Sequence, residues 1–262
     1  MKRRSFVKAS LLVPTIPAAA FAGTTSAQKT AREYYELRVY TLKDATQQQM
    51  VADYYQHAAI PAYNKTGSKN IGVFTELKPE GQTKLFVVIP YKSIEDFSSA
   101  KSKLMNDKTY IDAASAYLHA PATAPAYERI ESSLLYAFPR MPEMATTTPD
   151  KPRIFELRRY ESPTEAAGMK KIEMFNEGGE MDIFKKTGLD AVFYGQSLIG
   201  GNQPNLTYML QFDDMADHDK SWGTFGSSPE WNKLKSIPDY ADAKLISKIT
   251  AIFLTPTSFS QI

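Results

Sequence analysis

The chain has 262 residues, with 31 Lys+Arg against 29 Asp+Glu and no cysteine. That near-balance leaves no basic footprint for nucleic acid, and the absence of thiols excludes disulfides, thiolate metal sites, a cysteine nucleophile and a lipid-modified cysteine. The length suits two domains of roughly 100 residues each.

Residues 1–27 read as an address. Lys2-Arg3-Arg4-Ser5-Phe6-Val7-Lys8 carries a twin-arginine pattern, and an apolar stretch over 9–22 follows it, too short for a mature spanning helix and interrupted by Pro14 and Pro17. Small residues offer cleavage after Ala22 or after Ala27. The expected product is periplasmic or secreted and carries no membrane anchor. Lys2, Arg3, Arg4 and Lys8 leave with the signal, so Lys+Arg falls to 27 against 29 acids and the net charge to near −2.

From residue 28 the chain reads twice as β-α-β-β-α-β. In the first half, 28–139, a strand is expected at 34–42, then a helix at 46–66 with Met50, Tyr54, Tyr55, Ala58 and Ala59 at helical spacing. Thr66-Gly67 supplies a stop. Strands follow at 71–77 and 85–91, joined by the Lys78-Pro79-Glu80-Gly81 turn. Ser93-Ile94-Glu95-Asp96 resembles a capping box and opens a second helix, and 132–138 closes the half as a strand. Residues 140–152 hold Pro142, Pro149 and Pro152 with three consecutive threonines, a linker composition. The second half, 153–262, repeats the order. Strands are expected at 154–160, 192–197, 206–212 and 249–254, and helices at 164–187, loosened at Gly178-Gly179, and at 214–225.

The repeat is also written in the residues. Glu36-Leu37-Arg38 with Tyr40 returns as Glu156-Leu157-Arg158 with Tyr160, an offset of 120. Thr66-Gly67 returns as Thr187-Gly188, and Val73-Phe74 as Val192-Phe193. This duplicated strand phrase, the Thr-Gly stop before a Val-Phe strand, and Pro229-x-Trp231 late in the chain resemble the NIPSNAP family, over nearly all of the sequence beyond residue 27. The resemblance implies the dimeric α+β barrel class, in which two ferredoxin-like sheets pair; here two tandem ferredoxin-like (βαββαβ) halves would form the barrel within one chain. That class contains cofactor-free monooxygenases, haem peroxidases and small-molecule isomerases, while NIPSNAP proteins have no firmly assigned chemistry. Fold therefore does not fix function.

Candidate chemistry follows from the strand period. Glu36, Arg38 and Tyr40 share one face of their strand, and Tyr35, Leu37 and Val39 the other. The apolar side is expected against the helices and the polar side toward the partner sheet, so that Glu36, Arg38, Tyr40, Glu156, Arg158 and Tyr160 converge between the halves. Purely architectural Glu–Arg pairing across the sheets is the competing reading. His57, close in sequence to Tyr54, is the candidate general base, with Arg38 or Arg158 stabilising an anion, and Glu36, Tyr40, Tyr54, Glu156 and Tyr160 contacting a ligand. His218 lies in a charged run and is expected to be solvated. No paired histidine ligands suggest a metal, and no haem, dinucleotide or phosphate-loop motif is present, so no cofactor is expected. The sequence-level function is binding, or cofactor-free transformation, of a small hydrophobic or phenolic molecule. The alternative is a non-catalytic interaction module of the cell envelope. Either is compatible with a homo-oligomer.

Overall fold

The computed structural model describes residues 31–145 and 152–262. The expected signal segment at 1–27 lies outside these residues, as does the middle of the linker.

Each half builds the expected order of elements. The first has β1 (Tyr34–Leu42), β2 (Gly72–Glu76), β3 (Thr83–Tyr91) and β4 (Arg129–Ala137), and the second β5 (Ile154–Glu161), β6 (Asp190–Ile199), β7 (Asn205–Phe212) and β8 (Lys248–Pro256). Within each half the crossover helices place the first strand between the third and fourth. The edge strands then join across the halves, β2 to β8 and β4 to β6, giving a closed barrel in the order β1-β3-β2-β8-β5-β7-β6-β4. Closure leaves no sheet edge open. Corresponding registers hold in the two halves, with Arg38 opposite Val87 and Ser132, and Arg158 opposite Tyr208 and Ala251.

The long helix of the first half runs as α1 (Ala45–Tyr54), a π-helical turn (Tyr55–Ala59) and α2 (Ile60–Thr66). Asp44 caps its start, accepting from the Thr46 and Gln47 amides. Gly67 at φ 101° ends it in the left-handed region that glycine enters without a Cβ penalty. In the second half the corresponding helix breaks rather than bulges. α6 (Glu165–Asn176) gives way at Gly178-Gly179, and Gly179 at φ 91° starts α7 (Glu180–Lys186). Each half then carries α3 (Ile94–Met105) or α8 (Met215–Ser227), whose starts are capped by the equivalent side chains of Ser93 and Asp214. Shorter helices α4 (Lys108–Ala113), α5 (Ser115–Leu118), α9 (Pro229–Lys235) and α10 (Asp242–Leu245), with a 3-10 turn at Pro238–Tyr240, complete the outer layer among the described residues.

The middle of the barrel lumen is apolar. Tyr35, Phe74, Phe86, Phe155, Phe193 and Met209 fill it, all nearly or fully buried. Two further cores lie between sheet and helices, one in each half. This reverses the expected assignment of faces. Tyr35, Leu37 and Val39 point into the lumen, while Glu36, Arg38 and Tyr40 point under the helices, as their hydrogen bonds to helical tyrosines require. Charges from the two halves therefore do not converge. Ser133, Arg159, Thr207 and Thr250 line a small cavity with Leu37, Val39 and Phe86, but the physical reason is the lumen's middle, which apolar side chains from the two sheets fill. An ion there would lose several kcal/mol of hydration, whereas the helix layer offers phenol groups as partners.

Candidate functional site

β1 carries Glu36, Arg38 and Tyr40 beneath the first half's helices. Arg38 Nε donates to Glu36 Oε1 at 2.7 Å and Nη2 donates to Oε2 at 2.9 Å, a two-point pairing within one strand rather than across sheets. Glu36 is completed by the hydroxyls of Ser132 (2.8 Å) and Tyr91 (2.9 Å). Burial alone would raise its carboxyl pKa, but Arg38, Ser132 and Tyr91 together hold it below the usual range.

Arg38 reaches past this pairing. Nη2 donates to the Tyr63 hydroxyl at 3.0 Å, and Nη1 has only a long contact, 3.4 Å, to the Tyr55 hydroxyl. The Tyr40 hydroxyl bonds those of Tyr55 (2.9 Å) and Tyr117 (3.2 Å), and the Tyr54 hydroxyl bonds that of Tyr110 at 3.0 Å. Burial holds the phenols of Tyr40, Tyr54, Tyr55 and Tyr117 protonated, well above their ordinary pKa. Between these groups and α3 lies a cleft of about 310 Å³, lined by Arg38, Tyr63, Tyr110, Tyr117, Lys101 and Leu104 among others. The Arg38 side chain keeps 21% of its surface exposed, against 8% for Glu36, so it is the more accessible side chain of the pair.

His57 is elsewhere. It lies exposed on the π-helical turn and lines a separate groove of about 540 Å³ with Asp53, Thr46 and Ala113. Tyr54 and Tyr117 line both spaces and stand between them. The expected association of His57 with Arg38 is thus not formed.

The second half closes what the first leaves open. Arg158 Nη1 donates to Glu156 Oε1 at 2.6 Å, and the indole N–H of Trp222 donates to Glu156 Oε2 at 2.9 Å. The guanidinium sits 4.4 Å from the Trp222 ring centroid. Tyr160 accepts from the Tyr208 hydroxyl at 2.9 Å. His218 is not solvated as expected. It is wedged edge-on between Phe212 and Phe253, with centroids 5.0 and 4.9 Å away, and its Nε2 lies 3.5 Å from Glu156. Nearby, Lys171 and Glu180 form an ion pair of 3.0 Å with side chains only 1% and 2% exposed.

Sequence reasoning placed Glu36, Arg38 and Tyr40 together, and Glu156, Arg158 and Tyr160 together, and put Tyr54 at a site wall. It missed Tyr110 and Tyr117, which reach the cleft from the outer helices, and the roles of Trp222 and Lys171. A signal for Lys171 was present: it stands four residues before Phe175, on the stripe of α6 that packs inward. Among the described residues, no group of three or more His, Asp or Glu side chains is placed to hold a metal ion. No helix among them is long and apolar enough to cross a membrane.

A barrel closed from two βαββαβ halves defines the dimeric α+β barrel class, here completed within one chain. The NIPSNAP family model matches residues 35–142 and again 155–261, and the chain belongs to that family. No curated protein matches the sequence. Solved structures of similar fold include a candidate monooxygenase from Fusobacterium nucleatum, at 10% identity and TM-score 0.55, covering 87% of this chain and 93% of that one. Another from Lactobacillus acidophilus has 7% identity and TM-score 0.56, covering 86% and 94%. An anthrone oxidase-like protein has 8% identity and TM-score 0.51, covering 87% and 93%. At these identities the likeness is one of fold.

Proposed function

We propose that the first half's helix–sheet cleft binds a small hydrophobic molecule bearing a phenolic or other acidic oxygen. The observation that carries this reading is a partly exposed Arg38 side chain on the floor of a phenol-lined cleft, with its carboxylate partner already saturated and its Nη1 held by one long contact of 3.4 Å. Apolar walls with a few fixed polar groups are the usual make-up of a small-molecule site. A guanidinium fixed by Glu36 and Tyr63 needs little reorganisation to receive an oxyanion, so the site favours the deprotonated form of a bound phenol. The names given to the fold's neighbours, monooxygenase and anthrone oxidase-like, suit a site that handles such molecules. Base chemistry by His57 would require a substrate crossing the Tyr54–Tyr117 pair, so binding at Arg38 is the primary assignment.

Calorimetric titration of the purified chain with 2-naphthol and 2-naphthoate tests this. Saturable binding that Arg38→Met abolishes supports it; no binding, or binding indifferent to Arg38→Met, overturns it. The twin-arginine pattern of Lys2 to Lys8 supports a further proposal, that the protein works outside the cytoplasm.

A further inference from the structure

The two halves permit an internal comparison of their sites. Strand registers set the alignment: Glu36 lies opposite Ile89, and Glu156 opposite Leu210. Carried forward, Ser93 and Asp214 cap equivalent helices. One turn on, Phe97 packs edge-on against Tyr91 (5.5 Å, 80°), as His218 does against Phe212 (5.0 Å, 78°). A further turn on, Lys101 of α3 stands where Trp222 stands in α8.

Trp222 covers Arg158 with a flat ring and satisfies Glu156 with its N–H. Lys101 does neither. It is exposed and lines the mouth of the open cleft above Arg38. The second half thus holds a built-in aromatic occupant at the position the first half leaves free. We propose that the first half's cleft takes a planar aromatic ring stacked on Arg38, in the place the Trp222 indole fills in the second half, and that this ring presents a hydrogen-bond-accepting oxygen. The inference deepens the binding role proposed above and rests on it.

The polarity of the ligand follows from counting bonds at each carboxylate. Glu156 accepts from Arg158 and still has room for the indole N–H. Glu36 already accepts four hydrogen bonds: two from Arg38, one from Ser132 and one from Tyr91. A carboxylate has about four lone-pair sites, so a ligand donor has nowhere to go on Glu36. The open valence belongs to Arg38 Nη1, a donor, and the Lys101 ammonium at the mouth favours negative charge. The fitting class is an aryl carboxylate, a phenolate or an aryl carbonyl, rather than an indole-like N–H donor. Stacking on a guanidinium suits Arg38 specifically, since its planar face meets aromatic rings well.

Titration with 2-naphthoate and with indole decides the matter. The unmodified chain is expected to bind 2-naphthoate at one site per chain and indole at least roughly tenfold more weakly. Lys101→Trp, which supplies the missing occupant, should weaken 2-naphthoate binding by roughly tenfold or more, whereas Lys101→Leu, which removes only the ammonium's attraction, should weaken it by about twofold to threefold. Trp222→Ala should gain an indole site, seen as an indole-dependent rise in thermal midpoint that the unmodified chain lacks. Unchanged 2-naphthoate affinity in Lys101→Trp overturns the inference, as does a folded Trp222→Ala protein that ignores indole. If Trp222→Ala does not fold, Lys101→Trp decides alone. Failure of the unmodified chain to bind, or binding indifferent to Arg38→Met, overturns the underlying binding role instead, so the two failures are separable.

Discussion

Tyr54 and Tyr117 stack face to face, with ring centroids 3.8 Å apart and planes 9° from parallel, between the groove that holds His57 and the cleft that holds Arg38. Tyr117 stands on the four-residue α5 and is only half-buried, so the partition depends on one small element. Tyr117→Ala should join the two spaces. It removes a stacked pair, worth about 0.5–1.5 kcal/mol, and the hydroxyl contact to Tyr40, worth about 1 kcal/mol. The expected loss in urea unfolding is therefore about 2 kcal/mol, accompanied by tighter binding of three-ring than of two-ring aromatics. Tyr117→Phe keeps the partition and should lose only the hydroxyl contribution. Equal ligand preference in the two variants would show that the stack does not divide the site.

Much of this arrangement was written in the sequence. The period of two put Glu36, Arg38 and Tyr40 on one face, and the offset of 120 predicted a second copy that closes the sheet on itself. The direction of that face was not legible from the strand alone. Glu36 and Arg38 look like groups that need a partner sheet only if the helices are taken as apolar. The helices instead carry Tyr55 and Tyr63, whose hydroxyls serve Arg38, and Tyr117, whose hydroxyl serves Tyr40. Meanwhile Phe74, Phe86, Phe155 and Phe193 claim the lumen. Tyr117 escaped because a four-residue helix has no period to read. Trp222 escaped because an aromatic on a helix reads as core. Only alignment of the halves beyond the strand phrase exposes its exchange for Lys101.

The pH dependence of stability should carry a signature of Glu36. Its folded-state carboxyl pKa lies below the ordinary 4.5 because Arg38, Ser132 and Tyr91 outweigh its burial. A carboxyl lowered on folding adds stability that is present above the unfolded value and lost as the pH falls through the folded one. The gap in unfolding free energy between the unmodified chain and Glu36→Gln should thus be widest at neutral pH and narrow below pH 4.5. Urea denaturation at several pH values measures it. A constant gap would mean that folding leaves the Glu36 carboxyl pKa unshifted.

His57→Ala tests the placement of the imidazole in the outer groove. The residue is exposed and faces away from Arg38 across the tyrosine stack. Stability should change by no more than about 0.5 kcal/mol, and 2-naphthoate affinity by less than about twofold. A large loss of affinity would bring His57 into the ligand site and require the stack to open on binding.

Export is testable without a ligand. Replacing Arg3 and Arg4 by lysine should leave the precursor uncleaved in the cytoplasm of a bacterial host with a twin-arginine pathway, while the original sequence reaches the periplasm. Fractionation and immunoblotting read the outcome. Equal export of both forms would point to the general secretory route.

The buried Lys171–Glu180 pair offers the strongest single effect on stability. Lys171 Nζ lies 3.0 Å from Glu180 and 3.6 Å from Asp242, over the rings of Tyr160, Phe175 and Trp231. Burial raises the Glu180 carboxyl pKa even though Lys171 opposes that shift. Lys171→Met leaves the carboxylate without its cation and should cost about 3–5 kcal/mol at neutral pH. Without Lys171 the carboxyl pKa rises further, so the folded state takes up a proton before the unfolded state does. The variant should therefore regain stability as the pH falls toward the ordinary value of 4.5. Lys171→Met combined with Glu180→Leu replaces both charges by apolar volume and should recover most of the loss, since buried pairs often exchange for hydrophobic ones at little net cost. A double variant no more stable than Lys171→Met would mean that the pair holds α6 against α7 in a way packing cannot replace.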